Sequence, residues 1–109
     1  MGVAEGSLSA RLNWLRLRVV PELKPFARRI AVFGSFVRGD LTPDSDIDLL
    51  VRLKPPGERP VLGLKWFGLE EKLGELLGRN VDLVSEDALS PYLRPHIERQ
   101  MVVLYNEEG

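Results

Sequence analysis

The feature that most constrains this chain is a short apolar run, Ile30-Ala31-Val32-Phe33, that stops dead on Gly34-Ser35. An uninterrupted apolar run of this length, closed by a glycine, reads as a buried strand. Gly34-Ser35 turns the chain, and Phe36 to Arg38 is long enough for one helical turn. Gly39 to Ser45 is dense in turn formers and reads as a loop. A second apolar segment, Asp46 to Leu53, then resumes as a strand, and it opens on two aspartates. A strand, a tight turn and a strand headed by carboxylates leave few architectures open.

The remaining segments fill in an α/β (α+β) fold. Leu8, Leu12, Leu15 and Val19 recur at spacings of four, three and four, predicting a helix capped by Ser7 or Ser9. Pro21 and Pro25 are expected to end or kink it near Val20, or to start a short second helix. Lys54 to Pro60 is a polar, proline-rich connection. Val61 to Leu77 has mostly helical leucine spacing, and Gly78 is placed as a C-terminal stop. Arg79 to Val84 reads as a third strand, Ser85 to Arg99 as helical beyond Pro91, and Met101 to Tyr105 as a last short strand. Strands alternating with helices predict a small mixed sheet flanked by helices. At 109 residues the chain fits one domain over 1–109, with 1–6 expected to be frayed.

Composition excludes several function classes. There is no cysteine, which removes disulfides, thiolate metal sites and cysteine nucleophiles. The single histidine, His96, cannot make a His-rich site, so any metal must take oxygen ligands: magnesium, manganese or calcium. The net charge is −1, whereas a direct nucleic-acid binder would be clearly basic. Arg11, Asn13, Arg16 and Arg18 interrupt the N-terminal apolar residues, so neither a signal peptide nor a membrane span is expected. The expected location is the cytoplasm.

The carboxylates carry the chemistry. Asp46 and Asp48 are one residue apart, so on a strand both point to one face while Ile47, Leu49 and Val51 point to the other. Like charges at the mouth of an apolar strand call for a cation or for solvent, and magnesium suits them. The plain alternative is a solvated strand end. Gly34 allows close backbone approach and Ser35 offers a hydroxyl and an amide, a plausible phosphate cradle; the alternative is a turn glycine with a capping serine. Asp82 sits within the apolar run Val81 to Val84. There it must be exposed, hydrogen-bonded, paired with Arg79 or Arg52, or bound to a cation. If its strand lies beside that of Asp48, three carboxylates converge as in a two-metal phosphoryl-transfer site.

Gly34-Ser35, ten residues, then Asp46-x-Asp48 resembles the signature of the polymerase-beta-like nucleotidyltransferases. The fuller Gly-Ser-Phe-Val-Arg-Gly-Asp and Ser-Asp-Ile-Asp-Leu-Leu-Val stretches are similar to the minimal nucleotidyltransferases of prokaryotes. Leu-Gly-Arg-Asn-Val-Asp-Leu-Val falls where that family carries its third carboxylate. The resemblance covers Ile30 to Val84. It implies that Gly34 and Ser35 hold the triphosphate of ATP, that Asp46 and Asp48 bind Mg2+ (or Mn2+), and that Asp82 completes the metal site. Asp82 would also help to deprotonate or orient the attacking hydroxyl. Arg38 either contacts phosphate or pairs with Asp40 or Asp44. Minimal members resemble the antitoxin halves of pairs with a helical HEPN-type toxin, where AMP passes from ATP to a toxin tyrosine. Such a partner would make the chain part of a hetero-oligomer, and a homo-oligomer is equally open.

Two rival readings stand beside that one. The first is a catalytically silent module that neutralises a partner by binding. The second is a small-molecule, aminoglycoside-type nucleotidyltransferase whose acceptor pocket a dimer would have to build. His96 reads as a surface residue before a general base. Trp14, Trp66 and Phe67 read as core before a partner patch. Arg11, Arg16, Arg18, Lys65, Glu70, Glu71 and Lys72 read as solvated helix faces.

Overall fold

A computed structural model describes residues 7–107. The expectation of fraying at 1–6 lies outside the described residues. Four strands form one sheet in the order β3-β2-β1-β4: β1 is Ala27–Phe33, β2 Ile47–Leu53, β3 Val81–Ser85 and β4 Val102–Asn106. The β1–β2 and β1–β4 pairs are antiparallel and β2–β3 is parallel, so the sheet is mixed as anticipated. The parallel pair needs a crossover, which α3 (Lys65–Leu77) supplies.

One face of the sheet carries the core. Ile30 and Val32 of β1, Ile47, Leu49 and Val51 of β2, Leu83 and Leu104 are buried against Leu15, Val19 and Leu23 of α1 (Leu8–Leu23). Leu73 and Leu77 of α3 complete the cluster. The period-2 alternation therefore sends Asp48 and Asp82 to the opposite face.

Several boundaries differ from the sequence expectation. Helix α1 runs through Pro21 to Leu23 rather than ending near Val20, with Ser7 Oγ accepting from Ala10 N at 3.1 Å as its cap. Pro21 lies one turn beyond Leu17, itself 74% exposed, so the missing backbone bond falls on the outer stripe. The buried stripe Leu15, Val19, Leu23 meanwhile continues past it. Helix α3 starts at Lys65, not Val61, because Gly63 adopts a left-handed φ of 44° just before it. A four-residue helical turn, α2, spans Ser35–Arg38. Beyond Pro91 the helix begins only at Arg94 (α4, Arg94–Gln100), with Pro95 in its first turn, while Ser85 ends β3 and caps a 3-10 turn, Glu86–Ala88. The expected core role of Phe67 fails: it is 65% exposed, whereas Trp14 and Trp66 are half-buried against the core.

Candidate functional site

The site lies where the N-terminal ends of the parallel strands β2 and β3 meet the turn after β1. Paired residues in a parallel ladder point to the same face, and Asp48 pairs with Asp82. Phe33 pairs with Asp48 on the other side, which brings the following residue, Gly34, under the Asp48 carboxylate. Gly34 has φ 73°, and a β-carbon added there would overlap Asp48 Oδ2. Glycine is therefore needed twice, for a left-handed backbone and for the close approach of a carboxylate. Asp46 lies just before β2 rather than within it, and is exposed.

Electrostatics set this corner apart. Asp48 is half-buried, and its carboxyl is held above the usual aspartate range. Burial is the main cause, followed by the charges of Asp82 and Asp46, while Arg38 opposes them. Two carboxylates thus act on the third, Asp48, across the strand ends. Asp82 does not take up the salt bridge that sequence left open for it. Arg79 donates instead to the carbonyls of Thr42 and Ser45, and Arg52 pairs with Glu86.

Arg38 takes up the pairing with Asp40 that the sequence offered, and it also reaches Ser35. Its Nε donates to Asp40 Oδ2 at 3.2 Å, and its Nη2 donates to Ser35 Oγ at 3.3 Å. Both partners of the ion pair are more than half exposed, so the pairing is weak and exchangeable. His96 is exposed and contacts Gln100, as a surface histidine would. Glu70 is not simply solvated: its Oε2 accepts from the Leu83 amide at 2.8 Å, covering a donor on edge strand β3.

The oxygen donor set fits a hard divalent cation. Among the described residues no three carboxylate or imidazole side chains converge closely enough to enclose an ion by themselves. Magnesium needs no such cage, because it binds through one or two carboxylates and completes its shell with water and phosphate. A cleft of about 840 Å³ touches this corner through Asp46. Its other walls include Glu70, Glu71, Glu75 and Arg79. That acidic wall disfavours an anion such as a triphosphate.

The class of protein follows from a mixed sheet with a Gly-Ser turn beneath a carboxylate row, and the comparisons agree with it. The chain belongs to the nucleotidyltransferase domain family, whose model matches residues 16–104. It is 45% identical over 75 residues to the protein adenylyltransferase MntA of Thermococcus cleftensis, covering 69% of this chain and 72% of that protein. A Methanocaldococcus jannaschii protein assigned as a protein adenylyltransferase is 43% identical over 76 residues, 69% of this chain and 74% of its own. Among solved structures, a toxin–antitoxin complex with AMP-PNP aligns with a TM-score of 0.71 at 26% identity, covering 84% of this chain and 73% of that one. A structure assigned as a minimal nucleotidyltransferase aligns at 0.65 with 34% identity, covering 94% and 95%. No helix among the described residues is long and apolar enough to cross a membrane.

Proposed function

We propose that this chain transfers AMP from ATP to a hydroxyl, that of a tyrosine on a HEPN-type toxin partner, and so acts as the antitoxin. The observation that carries the reading is the pairing of Asp48 with Asp82 across a parallel ladder, above a glycine that leaves room for the Asp48 carboxylate. The partner rests on the relatives: one is named a protein adenylyltransferase, and one solved neighbour is a toxin–antitoxin complex with a nucleotide analogue. Residues 1–109 act as one domain, in the cytoplasm, where both ATP and the partner are made.

Asp46 and Asp48 are the ligands for Mg2+, or Mn2+ in its place, with Asp82 beside them. A divalent cation bound there supplies charge neutralisation at the entering and leaving oxygens. Gly34 and Ser35 orient the triphosphate, and Arg38 exchanges its exposed partner Asp40 for a phosphate oxygen. Asp82 accepts a hydrogen bond from the incoming hydroxyl and takes its proton. The hydroxyl oxygen bonds to the α-phosphorus in line with the departing oxygen, the bond to the β-phosphate bridge breaks, and pyrophosphate leaves.

A silent binding module would keep the fold but gain nothing from holding three mutually repelling carboxylates. The test is incubation with α-labelled ATP, magnesium and a helical HEPN-type toxin. Label appears on the partner with wild type and is lost with Asp46→Asn. No transfer by wild type, or transfer undiminished in Asp46→Asn, sinks the proposal.

A further inference from the structure

We infer that Arg79 is a positioning residue that clamps the Thr42–Asp46 loop and so fixes Asp46 against Asp48 for cation binding. The inference rests on the metal-dependent reading above. Its starting point is how firmly Arg79 itself is planted. Gly78 caps α3 in a left-handed conformation (φ 69°), and the Arg79 amide donates to Gly74 O at 3.2 Å. Gly74 lies so close that a β-carbon there would sit 3.1 Å from Arg79 O. The base of Arg79 is thus fixed to the end of a helix and the head of β3.

From that base the guanidinium reaches a loop more than thirty residues earlier in the chain. Its Nη1 donates to Thr42 O and, at 3.4 Å, to Ser45 O. The loop is already closed on itself: Thr42 N donates to Ser45 Oγ at 2.9 Å and Ser45 N to Thr42 O at 3.0 Å. On the far side of Asp46, Ile47 N donates to Asn80 O at 3.0 Å. Asp46 is therefore bracketed by two ties to consecutive residues, Arg79 and Asn80.

Asp46 needs the bracket because apolar burial holds the loop only at its flanks, Leu41 and Ile47. Between them Thr42, Pro43, Asp44 and Asp46 are exposed. Asp46 and Asp48 repel each other, and the relief is for the loop to swing outward. A bond from a charged donor to a backbone carbonyl resists that swing without placing a cation on the carboxylates themselves. Groups that orient metal ligands typically cost metal affinity or activity when removed; Arg79 bonds only backbone carbonyls here, so its loss should fall on affinity.

The experiment is titration of Mn2+ alone into the full-length chain, followed by its electron paramagnetic resonance signal, with no turnover required. Arg79→Ala is expected to weaken Mn2+ binding roughly tenfold. Arg79→Lys, which keeps a cationic donor, is expected to stay within about threefold of wild type. In the transfer assay Arg79→Ala raises the Mg2+ needed for half-maximal rate and leaves kcat at saturating Mg2+ near wild type. A merely structural loss would lower both together. Unchanged Mn2+ affinity in folded Arg79→Ala, or a kcat deficit that saturating Mg2+ does not restore, overturns the inference. Arg79→Gln replaces Arg79→Ala in both measurements if the alanine variant does not fold. Weakened Mn2+ binding with no AMP transfer by wild type would uphold the clamp and sink the transferase reading instead.

Discussion

The face of the sheet turned away from the core carries two charged clusters, one at each end, and they are built on opposite terms. At the far end Glu86 is buried and carries two arginines. Arg29 donates to it through Nη2 at 2.9 Å and Nε at 3.3 Å, and Arg52 approaches at 3.3 Å. The Glu86 carbonyl is taken by Arg94 Nη2 at 2.7 Å. Arg29 and Arg52 are register partners in adjacent strands, which places two like charges side by side, and Glu86 reconciles them. At the near end the signs reverse. Asp46 and Asp82 both act on Asp48, and the cation acting on it among the described residues is Arg38, already shared with Asp40. One cluster finds its complement within the chain; among the described residues the other meets only the shared Arg38. That asymmetry separates a structural ion cluster from a site better than charge density does.

Substitution at each pole gives opposite signatures. Asp48→Asn removes one of the mutually repelling charges, so melting in EDTA should show a stability equal to or above wild type. AMP transfer should meanwhile fall by roughly a hundredfold or more, as expected from losing several kcal/mol of cation-borne stabilisation. A less stable Asp48→Asn, or one that still transfers, would erase the distinction. Glu86→Ala should do the reverse. It removes the buried carboxylate that sits between Arg29 and Arg52 and should lower stability in a denaturant melt by about 3 kcal/mol, the low end for breaking a buried pair. Arg52 is 39% exposed on its side chain, which moderates the loss. Transfer per folded molecule should be unchanged; its abolition with folding intact would make the far cluster part of the active site.

The near pole was legible in the sequence and the far pole was not, for a physical reason. Gly34, Asp48 and Asp82 announce themselves because each breaks a local rule: a glycine at a strand end, carboxylates within apolar strands. Glu86 follows a strand and sits among ordinary polar residues, so nothing marks it as buried until β1 and β2 bring Arg29 and Arg52 to it. Arg79 is similar, since its partners are backbone carbonyls, which leave no trace in side-chain patterns. Asp46 was placed inside a strand by the Asp-x-Asp alternation. It lies outside because the ladder begins with the Ile47–Asn80 bond. The helix through Pro21 escaped for a simpler cause: local proline chemistry lost to a buried stripe that ran one turn further.

The gentlest probe of the comparison is pH. The Asp48 carboxyl is raised above the ordinary aspartate value, first by burial and then by Asp82 and Asp46. The unfolded chain therefore releases this proton at lower pH than the native state does. Below the unfolded value both states are protonated and the penalty is absent. As pH rises through the interval between the two values, the native state holds the extra proton and stability falls. Above the raised value the loss is complete. In EDTA, wild-type stability minus that of Asp48→Asn should therefore decline across this window, a subtraction that cancels the carboxylates not coupled to Asp48. Saturating Mg2+ should remove the decline, because a cation favours the ionised form that burial and Asp82 disfavour. A difference that is flat in EDTA, or that rises with pH, would mean Asp48 is already compensated within the chain, and the near pole would then be no more open than the far one.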